Sequence, residues 1–157
     1  MCGGDPLPIQ SIVECEAAYE WIRVAAIEGL VTLVNAGLAS RDEVVAFFAG
    51  LFRGKLPRTP ENEVLWSFLV LAASELHPGE LMADIEQAYD DDLIDLQILR
   101  LSDVRRDEAV GKEAATARLA TDPHRQLIHD TVEEHGRRVR QMGVLSTARV
   151  PGRPLLG

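Results

Sequence analysis

The chain has 157 residues, 46% of them hydrophobic and 26% charged, with a formal net charge of −9. That is enough chain for one domain with a real core, too apolar for a disordered segment, and acidic enough to repel phosphate backbones, so nucleic acid is not an expected partner. The most apolar run, WIRVAAIEGLVTLV, is shorter than a bilayer span and carries Arg23 and Glu28, so no membrane span is expected either.

Asp5-Pro6 reads as a cap followed by Pro at the first helical position, with Ile9, Ile12 and Val13 at helical spacing behind it. From Glu16 onward Tyr19, Ile22, Ala26, Ile27, Leu30, Val31 and Val34 recur at three- and four-residue steps up to Asn35-Ala36-Gly37. The spacing predicts a helix of about five turns at 3.6 residues per turn. Ser40 and Glu43 have the spacing of a capping box, ahead of a stripe of Val44, Val45, Phe48, Leu51 and Phe52 that ends at Gly54 and Pro57. Thr59-Pro60 introduces a helix carrying Val64, Leu65, Phe68, Leu69 and Ala72, and His77-Pro78 introduces one carrying Leu81, Met82, Ile85, Ala88 and Tyr89. After Asp95 the segment LQILRLSD has no period and reads as a turn of the chain. Ser102 or Asp103 then caps an alanine-rich helix through about Leu119, and Asp122-Pro123 caps a last one through about Met142.

Val44, Val45, Phe48, Leu51 and Phe52 superpose on Leu81, Met82, Ile85, Ala88 and Tyr89 at a constant offset of 37 residues. A long helix, a break and a shorter capped helix recurring at roughly 40 residues is the period of HEAT-like hairpins. The expected fold is all-α, an α-α superhelix of such hairpins over residues 5–142, followed by a flexible tail over residues 143–157 rich in Pro and Gly. Charge is unevenly spread: residues 61–103 hold 11 acids against Arg100 alone, whereas residues 104–157 carry 10 bases and 7 acids. The start, MCGGDPLP, has neither a basic nor an apolar leader segment, and Cys2 and Cys15 are the only cysteines. A cytoplasmic location with reduced thiols is therefore expected, and a cysteine-based zinc site is not.

The stretch HPGELMADIEQAYDDDLID, followed by LSDV and then GKEAATARLATDPHRQLIHDTVEE, resembles the bacterial family catalogued as domain of unknown function 1186, over about Asp5 to Glu134. The resemblance implies an α-helical repeat protein without an established activity, and places this chain in the carboxyl-proximal part of a longer array. Some members end in a cysteine-rich zinc motif, which does not transfer because no cysteine follows Cys15. If repeats precede it, Ile9, Ile12, Val13 and Ile22 lack a natural neighbour, and self-association through this end is expected.

The chemistry-bearing residues are few. Asp91, Asp92 and Asp95 spell D-D-x-x-D, which in class I prenyl-transferring enzymes holds magnesium against a diphosphate, but that site needs a second acidic motif and a deep cavity. As a calcium loop from Asp90, the stretch puts Asp95 where Gly is required and Leu101 where the closing Glu belongs. The plainer reading is a solvated helix end in which Glu86, Asp90, Asp91, Asp92 and Asp95 form an acidic interaction surface. Acids at a helix C-terminus oppose the macrodipole, so a basic neighbour is expected, and Arg137, Arg138 and Arg140 of the last helix are the candidates.

His129-Asp130 is an HD doublet without the other ligands of a metal phosphohydrolase. His124, His129 and His135 lack the i, i+4 spacing that brings two imidazoles together. Trp21 and Trp66 read as core anchors. No nucleophile elbow or phosphate loop is present. A non-catalytic scaffold for a protein partner, without a cofactor, is the expected function; the alternative is a magnesium-dependent enzyme acting on a phosphorylated substrate through Asp91, Asp92 and Asp95.

Overall fold

In the computed structural model, which describes residues 6–127, Pro6 stands at the N-cap of α1 (Leu7–Glu14) with φ −72°. Its fixed φ suits a helix start, where the N–H it lacks would have no partner in any case. The chain then breaks: Cys15 turns extended and Ala18 N–H donates to Cys15 C=O at 3.0 Å before α2 (Glu20–Asn35) begins. The long helix thus starts at Glu20 rather than Glu16. The break lets α1 fold back on α2, burying Val13 and Arg23, whose Nε–H donates to Val13 C=O at 2.8 Å. Val24, Ile27, Leu30 and Val31 form the buried face of α2, while Tyr19 and Ile22, expected on that face, are 67% and 54% exposed.

α2 ends at Gly37, whose φ of +70° lets Gly37 N–H reach Val34 C=O and Leu38 N–H reach Leu33 C=O, a Schellman closure. Ser40 stands at the N-cap of α3 (Arg41–Gly50) as expected, but its hydroxyl makes no capping bond, so the Ser40–Glu43 box is not formed. Asp42 and Glu43 still set negative charge against the positive end of the helix. α3 widens into a π-turn at Leu51–Lys55, which buries Leu51 and Phe52 and closes at Gly54, φ +134°, a backbone state that favours glycine.

The single turn Pro60–Asn62 leads into α4 (Glu63–Glu75), the most buried helix: Leu65, Trp66, Leu69, Val70 and Ala73 have no exposed surface. Each large apolar side chain so buried contributes about 1.5–3 kcal/mol. Trp66 packs on Phe52 with ring centroids 5.6 Å apart and donates from Nε1–H to Pro57 C=O at 3.0 Å, so it is the anchor its position suggests. Trp21 is not: it is 50% exposed and meets Phe68 edge-on at 5.8 Å.

His77, with φ +71°, ends α4, and the turn Gly79–Leu81 starts α5 (Met82–Asp90). The stripe matched at an offset of 37 is inside at both ends: Val44, Val45, Phe48, Leu51 and Phe52 are buried, as are Leu81, Ile85 and Ala88, with Met82 and Tyr89 packed partly against them. α2 packs on α4, and the π-turn after α3 packs on α5.

The alanine-rich helix is in fact two, α6 (Leu101–Val110) and α7 (Lys112–Thr121), divided at Gly111 with φ +88°. Arg100, not Ser102 or Asp103, is the N-cap of α6. The break lets both helices rest on α4, with Val104, Ala115 and Leu119 buried. Asp122 caps as expected, accepting from His124 N–H at 2.8 Å, but what it caps is the single turn Pro123–Arg125. The last expected helix beyond that turn and the tail from 143 lie outside the described residues. All seven α-helices found among the described residues are too short or too polar to cross a membrane, and no strand occurs there.

Candidate functional site

The acidic stretch is built on the end of α5. Ala88 and Tyr89 carbonyls accept from Leu93 N–H and Asp92 N–H, both at 3.1 Å, which is again a Schellman closure. Asp92 holds the left-handed position with φ +54°, a place usually given to glycine but tolerated by Asp. The closure buries Leu93 and Ile94 and turns the chain toward α4, where Asp95 N–H donates to the Ser67 hydroxyl at 2.9 Å. Asp95 Oδ1 accepts from Gln97 N–H at 2.8 Å and stabilises the next turn.

Asp91 lies where a carboxylate opposes the helix dipole, and the basic neighbour this calls for is Arg58. Its guanidinium donates to Asp91 Oδ2 from Nε at 2.8 Å and from Nη2, to Phe52 C=O from Nη1 at 3.0 Å, and lies 5.1 Å over the Trp66 ring. Gln87 Nε2–H donates to the other oxygen of Asp91 at 3.0 Å. Arg58, then Gln87, hold the Asp91 carboxyl below its ordinary range. Glu86 pairs with Arg105 of α6 at 2.9 Å, and Asp90 and Asp92 are exposed. The structure therefore divides the five acids: Asp91 and Glu86 are neutralised internally, Asp92 and Asp95 shape backbone, and Asp90 faces water. Among the described residues no three His, Cys, Asp or Glu side chains are grouped to hold a metal ion.

Asp91 is one rung of a longer contact. Arg53 binds Asp84 through Nε and Nη2 at 3.2 and 2.9 Å, and Arg41 binds Glu80 through both terminal nitrogens at 2.9 and 2.8 Å. Arg41 also donates to the Leu76 and His77 carbonyls at 2.7 and 2.9 Å, closing the C-terminal end of α4. Arg41, and desolvation working against it, leave the Glu80 carboxyl held down to about 2. The acid surplus of residues 61–103 is thus met in part, by Arg41, Arg53 and Arg58 from the segment before α4 and by Arg105, Arg106 and Arg125 from the segment after α5. The arginines proposed for this from the sequence, Arg137, Arg138 and Arg140, lie outside the described residues. No sequence period reveals the rungs, because partners 31 to 39 residues apart meet only when separate helices pack together.

His77 Nε2 faces Glu108 C=O at 3.2 Å, and since a carbonyl only accepts, Nε2 carries the hydrogen. His124 is exposed in the last described turn. His129, Asp130 and His135 lie outside the described residues.

A family model described as a protein of unknown function, DUF1186, matches residues 1–139, a little beyond Asp5 and Glu134 at both ends. An uncharacterized protein of Chlamydia trachomatis serovar D is 30% identical over 129 residues, covering 80% of this chain and 49% of its own length. An uncharacterized protein of Chlamydia muridarum gives the same identity and coverage. The chain thus spans about half the length of the curated relatives it matches. No solved structure matches it. With most of its length matched by that one model, the chain belongs to the DUF1186 family of proteins of unknown function.

Proposed function

We propose that this chain is a non-catalytic scaffold for protein partners, built as HEAT-like hairpins and forming the carboxyl-proximal part of a longer array. Support for the repeat comes from α2 on α4 and the π-turn of α3 on α5, with equivalent core positions at one offset. The observation that carries the partner is the end formed by α1 and the start of α2. Ile12, Tyr19, Trp21 and Ile22 are 39%, 67%, 50% and 54% exposed there, a concentration of large apolar groups typical of interaction surfaces. The acidic face of Glu86, Asp90, Asp91, Asp92 and Asp95 is a second, polar surface for the same role, with Asp90 and Asp92 the members open to solvent and without an internal cation among the described residues. The array reading makes like helical repeats the natural cover for the apolar end, so a second copy of the chain is the partner to test. Sedimentation velocity over a hundredfold concentration range is expected to show association that is weakened in a Trp21→Ser, Ile22→Ser variant. A strict monomer at the highest concentration counts against the apolar end as a docking surface.

A further inference from the structure

α7 and the turn after it are held to the rest of the molecule by few apolar contacts and by polar bonds at their ends. Of the ten residues of α7 only Ala115 and Leu119 are buried, and of these only Leu119 joins the main core. α4, on which it rests, buries eight. A helix of this length is marginal in water by itself, so α7 depends on its docking.

That docking is not close-packed. A cavity of about 70 Å³ lies where α7 meets α4 and α6, bounded by Leu71 and Ser74 on one side and by Ala115 and Leu119 on the other. Ser74 is 3% exposed, and its hydroxyl has no protein hydrogen-bond partner, whereas the buried Ser67 hydroxyl two turns earlier donates to Glu63 C=O at 2.8 Å. A hydroxyl left without a partner costs free energy only while its cover is in place.

The polar bonds gather at the far end. Arg125 is 11% exposed; it donates to both oxygens of Glu75 on α4 at 2.8 Å and to Glu28 on α2 at 3.3 Å, and its C=O accepts from Asn35 Nδ2–H at 2.9 Å. At the near end the segment leaves α6 through Gly111, φ +88°, a joint without the Cβ that would restrict it. Between these points Arg118 pairs with Asp107 at 3.0 Å and Lys112 with Asp42 at 3.6 Å, both cations more than half exposed. Few buried apolar contacts between a joint and a polar anchor are the marks of a segment that opens below the global unfolding free energy.

We propose that residues 112–125 are a strap, jointed at Gly111 and latched by Arg125, that opens and closes as one unit while α2 to α5 stay folded. Opening uncovers the face of α4 around Leu71 and Ser74 and frees the Glu28 and Glu75 carboxylates. The strap does not rest on the scaffold reading, since it concerns only which face of α4 is covered.

Native-state amide hydrogen exchange on the full chain tests it. The amides of residues 116–121 are expected to share one opening constant, at least tenfold larger than that of the slowest amides of α2 and α4. Arg125→Met is expected to raise that constant at least tenfold further and to leave the slowest amides of α2 and α4 within twofold of the parent. Ser74→Ala removes the unpartnered hydroxyl and is expected to lower it about threefold. Exchange of residues 116–121 in the parent at the rate of the α4 core would overturn the proposal without any variant. So would an Arg125→Met effect that is absent or equal in every helix, or strap exchange in Ser74→Ala that is unchanged or faster.

Discussion

Arg41 is the side chain whose removal tests the contact of α3 with the turn between α4 and α5 most directly. It is 12% exposed and donates to Leu76 C=O at 2.7 Å and to His77 C=O at 2.9 Å, besides pairing with Glu80. Arg41→Met keeps most of the apolar stem and removes the donors. A charge-assisted hydrogen bond contributes about 1.5–3 kcal/mol when buried, and we take about 1 kcal/mol for each carbonyl because water can reach these at the helix end. Lowering the Glu80 carboxyl to about 2 would correspond to about 3 kcal/mol at 1.36 kcal/mol per pH unit. Glu80 is 51% exposed, however, and half-exposed pairs deliver at most about 1 kcal/mol once solvent screens them. The expected loss is about 3 kcal/mol, a fall in the urea midpoint of about 1.5 M at a typical slope of about 2 kcal/mol per molar.

The Glu80 share of that loss has a pH signature. Its carboxyl binds a proton more weakly folded than unfolded, so this share is fully present above the unfolded value of 4.5 and is lost as pH falls toward 2. Glu80→Gln is expected to cost about 1 kcal/mol at pH 7 and to flatten the decline over that interval. A midpoint for Arg41→Met indistinguishable from the parent at pH 7 would refute the reasoning, since it would mean that neither the carbonyl bonds nor the ion pair stabilise the fold.

Two further substitutions check the core and the helix stop. Trp66→Ala removes the ring that packs on Phe52 and carries Arg58 on its face; a loss of about 3–5 kcal/mol is expected, read by urea denaturation, and a loss below about 1 kcal/mol would contradict the burial assigned to it. Asp92→Gly relieves the left-handed backbone at φ +54° against a larger unfolded-chain entropy, with a net gain of about 0.5 kcal/mol expected in the same assay. A clear loss of stability would show that the Asp92 side chain contributes more than its backbone conformation costs.

Local chemistry is what the sequence carries, and local features are what it determined. The stripe from Val44 to Phe52 and its counterpart from Leu81 to Tyr89 are read from a 3.6-residue period, and both lie against the core because an amphipathic helix has only one face to bury. Asn35-Ala36-Gly37 marks a helix stop because a left-handed residue is cheapest as glycine. The division of α6 from α7 could not be read this way: Val104, Ala115 and Leu119 stay in phase across Gly111, and a glycine inside a helix costs only about 1 kcal/mol. Only the benefit of resting both helices on α4 decides for the break. Burial along α2 is tertiary for the same reason, since Ile22 is as apolar as Ile27 and the two differ only in whether a neighbour covers them. The acidic stretch divides likewise. Its residues and its position at a helix end were legible, but its meaning depends on Arg58 and Ser67, which are brought to Asp91 and Asp95 by packing across some thirty residues of chain. Periodicity fixes which face of a helix is apolar; the packing of one helix on another fixes which charges meet.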